Sequence, residues 1–180
     1  VLLLDGADVY AHGVVSRRND VAADCGVEEG MTIREAADLL LRNEPRRVDP
    51  EERNHRTTVF EHESGRRIVC TDSIAYTLPE DREHNVLCTG GFAGLPNIVR
   101  ATPRALICSD GGRGRDDSGL AGLAAPFPVA TVDVQTARMG DGLSTYHEGK
   151  ISARNEHAAA WGVEVGQPAS EAARLLVAAE

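Results

Sequence analysis

Ala105-Leu106-Ile107-Cys108-Ser109-Asp110-Gly111-Gly112 reads as a buried β-strand that empties into a turn. A short unbroken apolar run, closed by a hydroxyl, an acid and glycines, is the pattern of a strand covered on both faces. Two earlier stretches have the same form: Ile68-Val69-Cys70-Thr71-Asp72-Ser73 and Asn85-Val86-Leu87-Cys88-Thr89-Gly90-Gly91. A fourth run, Pro128-Val129-Ala130-Thr131-Val132, follows. Helices are expected at Ala93–Arg100 and Ser118–Ala125, between the later strands. The prediction is an α/β fold: a small parallel sheet of about four strands with flanking helices and right-handed crossovers.

The two ends of the chain carry related segments. Asp5–Leu41 aligns without a gap on Asp141–Val177 at an offset of 136, with 18 of 37 positions identical. So long a period indicates a duplicated module rather than a solenoid. Arg66–Gly140 precedes the second copy and has no counterpart ahead of the first, so the chain reads as the tail of one unit followed by a whole second unit. Each copy is expected to form three helical pieces. The first ends at Gly13 or Gly149 with a left-handed cap, and the second is capped by Ser16 or Ser152. The third opens with a Thr32–Glu35 capping box or with Pro168. The matched residues are mostly caps, turns and small packing residues, so the repeat is architectural. The expected organisation is a helical module over 1–44, a linker over 45–65 with a short strand at Thr57–Glu61, and an α/β domain over 66–180.

Composition narrows the class of function. A net charge of −9 argues against nucleic acid or a membrane surface as partner. Arginines 17, 18, 42, 46, 47, 53 and 56 alternate with acids and read as a solvated face. No run approaches the roughly 18 apolar residues of a membrane span, and Val1–Leu4 does not make a signal peptide. The absence of an initiating methionine suggests trimming or disorder upstream. Cys25, Cys70, Cys88 and Cys108 lack metal-type spacing, and three of them end strand runs as small buried hydrophobes. Reduced thiols point to a cytoplasmic protein.

Chemistry is expected at the carboxyl ends of the strands, where open parallel sheets bind ligands near a switch in strand order. Thr89-Gly90-Gly91 is a glycine-rich turn expected to open a helix and offer amides to an anion. Ser109-Asp110-Gly111-Gly112-Arg113-Gly114-Arg115-Asp116-Asp117 joins flexible backbone to two guanidinium groups and three acids. Arg113 or Arg115 suits a carboxylate or phosphate, and Asp110, with Asp72 in support, suits proton transfer. Arg138, before Asp141, is a third anion-binding candidate. Asp110, Asp116 and Asp117 also offer hard oxygens, which makes Mg²⁺ a candidate ion. His84, His147 and His157 have no metal-type spacing, and the repeat does not require the latter two.

These rim motifs resemble a group of uncharacterised bacterial proteins. That group carries a D-S strand end, then T-G-S-H-G-G, N-D-A-G-x-G-x-D-x-A-G and S-A-R-I-G-D. The matching residues here are Asp72-Ser73, Thr89–Gly94, Ser109–Gly119 and Thr136–Asp141. The resemblance implies that the rim loops form one site. Where the group has Ser-His, this chain has Gly91-Phe92. The expected function is a hydrolase or lyase acting on a small anionic metabolite, in a homo- or hetero-oligomer. A non-catalytic ligand-binding or assembly subunit is the rival.

Overall fold

The structure, a computed structural model, describes residues 1–3, 5–43, 54–92, 94 and 102–180. The expected helix Ala93–Arg100, apart from Gly94, and linker residues 45–53 lie outside them. The chain divides into two compact units, Val1–Arg53 and Asn54–Glu180.

The second unit is built on a six-stranded sheet in the order β1-β2-β3-β4-β5-β6. Its strands are β1 (Arg56–Glu61), β2 (Arg67–Thr71), β3 (Val86–Phe92), β4 (Ala105–Ser109), β5 (Val129–Val132) and β6 (Ile151–Arg154). β2 to β5 are mutually parallel and coincide with the four apolar runs. β1 and β6 pair antiparallel at the two edges, so the sheet is mixed and has six strands rather than four. β1 coincides with the short strand expected at Thr57–Glu61, while Ile151–Arg154 carries little strand signal because an edge strand needs only half an apolar pattern.

Consecutive strands are neighbours throughout, so this sheet has no reversal of strand order and no switch-point crevice. With right-handed crossovers, the connections should then share one face. Ile74, Leu123 and Phe127 from the crossovers do pack with Val69, Leu87, Leu106, Cys108 and Val129. The opposite face, carrying Ile68, Cys70, Val86, Cys88, Ile107 and Val132, is covered by the C-terminal segment. That segment contributes α4 (Gly142–His147), α5 (Glu156–Ala160) and α6 (Ala169–Ala178). Ala169, Ala172, Ala173, Leu176 and Val177 of α6 are fully buried there. Arg66 and Arg104 reach the free carbonyls at its end: Arg66 Nη1 donates to Val177 O at 3.2 Å and Ala179 O at 2.6 Å, and Arg104 donates to Leu176 O and Ala179 O. Guanidinium groups at a helix C-terminus satisfy orphan carbonyls and oppose the helix dipole.

The crossover before β5 is a 3-10 segment, Arg115–Ala124, rather than a helix over Ser118–Ala125. Asp116 and Asp117 interrupt it with left-handed backbone, φ 56° and 53°.

The first unit contains α1 (Gly6–His12), α2 (Asp20–Asp24) and α3 (Ile33–Leu41). Asp5 caps α1, and Thr32 with Glu35 forms the expected capping box on α3. The cap of α2 is Asn19, not Ser16; its counterpart Asn155 caps α5, while Ser152 lies within β6. Gly13 is not left-handed (φ −72°). Glycine is needed there because a Cβ would stand 2.3 Å from Val9 O and 2.6 Å from Ile33 Cγ1.

Hydrogen bonds of the two related segments coincide at the same offset. Val15 N donates to Met31 O at 2.8 Å and Ile151 N to Gln167 O at 2.9 Å. Ile33 N donates to Gly13 O at 2.9 Å and Ala169 N to Gly149 O at 2.8 Å. They differ in one element: Ile151–Arg154 is a strand, whereas residues 15–18 are not, so the C-terminal segment is not purely helical.

Candidate functional site

Two glycines let the turn before α4 wedge against the ends of β2 and β3. A Cβ on Gly142 would stand 2.4–2.7 Å from the Thr71 backbone, and one on Gly90 would stand 2.1 Å from Asp141 N. Neither approach tolerates a side chain. Gly140 N donates to Gly90 O at 2.8 Å, and Thr145 Oγ1 donates to Thr89 O at 3.3 Å. Asp141 caps α4 through Ser144 N, and Gly142 N donates to Asp72 Oδ1 at 3.2 Å.

Asp72 therefore stands at the centre of this rim, its side chain 16% exposed. Its second oxygen, Oδ2, lies 3.0 Å from Nδ1 of His55. The Asp72 amide also donates to His55 O at 3.1 Å, which ties the approach to β1 against the end of β2. The imidazole is stacked on Tyr76, with centroids 4.6 Å apart and planes 4° apart. An ionised carboxylate only accepts, so this contact calls for a proton on Nδ1, and in the neutral ring of that tautomer Nε2 carries the lone pair. Thr71 Oγ1, beside Asp72, is buried and has no hydrogen-bond partner among the described residues.

Arg138 joins the same cluster from the turn. Its Nη2 lies 3.3 Å from Asp141 Oδ2 and 3.5 Å from Glu148 Oε1, and its side chain is 70% exposed. Its backbone is pinned by Ser144 Oγ, which in turn donates to Glu148. Asp72, Thr89, Gly90 and Arg138 thus come together through the Asp141–Gly142 turn.

Thr89-Gly90-Gly91 is not a helix-opening turn; it lies within β3, where the register with β4 slips between Cys88 and Phe92. Gly91 N is occupied by Thr89 Oγ1 at 3.2 Å.

Ser109, Asp110, Gly111 and Gly112 build a second turn. Ser109 Oγ accepts from Gly111 N, and Asp110 Oδ1 accepts from Gly112 N at 2.9 Å and Val134 N at 3.1 Å. Asp110 is 3% exposed, so this carboxylate orders the loops after β4 and β5. Arg113 Nε lies 3.0 Å from Asp117 Oδ1 and Arg115 Nε 3.8 Å from Asp116 Oδ2, all on exposed side chains. With its acids engaged in this way, the loop does not fit Mg²⁺. Among the described residues, no group of three His, Cys, Asp or Glu side chains is placed to hold a metal ion.

The buried thiols are unsuited to nucleophilic chemistry. Cys70 and Cys88 are register partners on one face of the sheet, and the Cys70 contact and burial push the Cys88 thiol well up. Burial, with Asp110 nearby, pushes Cys108 up to about 12. The thiolate is the reactive form, so Cys88 and Cys108 stay inert.

His55 is the member of this site that sequence reasoning misses. It lies in a polar, charge-dense stretch with no motif around it, and only the antiparallel pairing of β1 with β2 delivers it to Asp72.

Comparison with known proteins gives one partial likeness among curated sequences. The chain is 29% identical to a 4-hydroxy-2-oxovalerate aldolase of Pseudoalteromonas translucida (strain TAC 125), over 55% of this chain and 33% of that protein. The chain therefore spans about a third of the length of the curated relative it matches. No family model and no solved structure matches it. Among the described residues, no helix is long and apolar enough to cross a membrane.

Proposed function

We propose that this chain is a small-molecule enzyme of lyase type acting on an anionic metabolite at the β2–β3 rim, with a hydrolase using the same groups as the neighbouring reading. The observation that carries it is the 3.0 Å contact between His55 Nδ1 and Asp72 Oδ2, with the other Asp72 oxygen held by Gly142 N. A fixed carboxylate orients the ring and stabilises the imidazolium that forms when Nε2 accepts a proton. In a carbon–carbon lyase, Nε2 takes the proton of a substrate hydroxyl. The O–H electrons become a carbonyl, the C–C bond breaks, and its electron pair passes to an enolate that recovers the proton from the imidazolium. In a hydrolase, the same nitrogen takes the proton of an attacking water. Arg138, 70% exposed beside Asp141, is the cation assigned to a substrate carboxylate. Arg113 and Arg115 are second candidates, and Asp110 acts by holding the loops. The partial likeness to an aldolase favours the lyase and a 2-oxo acid as the substrate class.

Pyruvate release from 4-hydroxy-2-oxovalerate tests this directly. We expect turnover by the wild type and a loss in kcat of about 10²–10⁴-fold in His55→Gln and Asp72→Asn, with little change in KM. No pyruvate from the wild type contradicts the lyase. Turnover lost in Asp110→Asn but kept in His55→Gln moves the chemistry to the second turn.

The rival is a binding or assembly subunit of a homo- or hetero-oligomer. Two observations favour it: Gly91-Phe92 replaces the Ser-His of the group that the rim motifs resemble, and the first unit leaves Leu40 and Leu41 exposed. On either reading, we take the correspondence at offset 136 as the product of a duplication.

A further inference from the structure

The first unit carries an apolar groove of about 460 Å³, lined by Val15, Asn19, Ala22, Ile33, Ala37 and Leu40 among others. The counterparts of these residues in the second unit are Ile151, Asn155, Ala158, Ala169, Ala173 and Leu176. Those are covered: five of the six are at most 2% exposed, and Asn155 is 9% exposed. What covers them is the sheet, with β5 the strand directly paired to Ile151–Arg154. In the first unit Leu40 is 45% and Leu41 83% exposed, although their counterparts Leu176 and Val177 are both at 0%.

The polar groups tell the same story. In the second unit Asn155 Oδ1 accepts from Ala158 N, as Asn19 Oδ1 does from Ala22 N. Asn155 also grips the strand beside it. Its Oδ1 accepts from Val129 N at 3.1 Å, and its Nδ2 donates to Phe127 O at 2.7 Å and Ala125 O at 3.3 Å. Ser152 Oγ lies 3.0 Å from Thr131 Oγ1 of β5. Asn19 and Ser16 keep these residue types, and Asn19 is exposed. Residues 15–18 stand where β6 stands, yet form no strand. Gly6 completes the correspondence: nothing lies within 4 Å of a Cβ built on it, while its counterpart Gly142 is flush with the Thr71 backbone.

We propose that the groove of residues 14–40 is a strand-receiving site, and that its occupant is a β5-type strand of a partner sheet module built like residues 67–132. The strand runs antiparallel to residues 15–18, its backbone pairing with theirs, its apolar side chains filling the groove and its leading carbonyls taken by Asn19 Nδ2. This is recognition by strand addition, in which main-chain hydrogen bonds give affinity and alternate side-chain pockets give specificity. The interface between β5, β6 and α6 is its template.

The test uses the full chain, isotopically labelled, and a synthetic peptide with the sequence of residues 125–133. We expect saturable amide shifts at residues 15–19 and 33–40, with a Kd of about 1 mM or tighter. Leu40→Asp and Asn19→Ala should each weaken binding at least about tenfold. Met139→Ser, an exposed apolar residue outside the groove, should leave it unchanged. Because Asn19 also caps α2, Leu40→Asp is the deciding variant. Shifts that do not saturate, that fall outside the groove, or that survive Leu40→Asp overturn the proposal. So does a concentration-dependent dimer that Leu40→Asp dissolves, which would make the occupant a second copy.

Discussion

Asp81 shows how much a single residue holds in place in the crossover between β2 and β3. It is fully buried and accepts four hydrogen bonds: from Arg56 Nη1 at 2.9 Å, Arg56 Nη2 at 2.8 Å, Leu78 N at 2.8 Å and Asn85 Nδ2 at 3.0 Å. Burial alone would raise its pKa, but the Arg56, Asn85 and Leu78 donors outweigh it and hold the carboxyl below its ordinary value. A carboxylate depressed in the folded state contributes stability that is present above the unfolded pKa of about 3.9 and is lost as pH falls through the folded value. We therefore expect the stability of the second unit to fall on acidification below about pH 4, with a shallower slope in Asp81→Asn, as urea denaturation at stepped pH would show. Arg56→Met leaves a buried charge unpaired and should cost about 3 kcal/mol at neutral pH. Unchanged acid sensitivity in Asp81→Asn would place the linkage elsewhere. Arg56 opens β1 one residue after His55, so this ion pair also fixes the strand that delivers the imidazole to Asp72.

At the scale of elements, one aligned glycine serves opposite needs in the two segments related at an offset of 136. Gly142 begins α4 against the Thr71 backbone, whereas Gly6 begins α1 in open space. Alanine at 142 must push β2 and α4 apart, at about 2–3 kcal/mol. Alanine at 6 meets nothing and removes a glycine from a helix, so it should be neutral or stabilising by up to about 1 kcal/mol. Hydrogen-exchange protection read separately in each unit checks both, and equal losses would contradict the account. The element level also shows what the sequence displays and what it hides. The four central strands are legible because both faces are buried, so their apolar runs are unbroken. β1 shows as the short strand expected at Thr57–Glu61, whereas β6 does not show, because an edge strand such as Ile151-Ser152-Ala153-Arg154 tolerates polar and charged positions. Ser16 and Ser152 look like caps in a helical reading, and only the partner β5 turns the second into a strand residue.

Across the whole molecule, the second unit is a singly wound sheet whose C-terminal segment closes one face, and residues 5–41 of the first unit align with residues 141–177 of that segment. Asp72, Thr89 and Gly90 were visible as candidates because strand ends announce themselves by composition, and Arg138 because a cation precedes the Asp141-Gly142 turn. The role proposed for His55 was not visible, since it depends on the antiparallel pairing of β1 with β2 and no motif surrounds the residue. Asp110, conspicuous in sequence, turns out to spend its Oδ1 on two backbone amides. The central claim is that ligand chemistry gathers at the β2–β3 rim around His55 and Asp72. Amide and imidazole chemical-shift mapping of the full chain during titration with pyruvate tests this most directly. The account predicts saturable shifts confined to His55, Asp72, Tyr76, Arg138 and Gly142, with His55 retaining the proton on Nδ1. Saturable shifts centred instead on Arg113 and Arg115, with His55 and Asp72 unmoved, would contradict it.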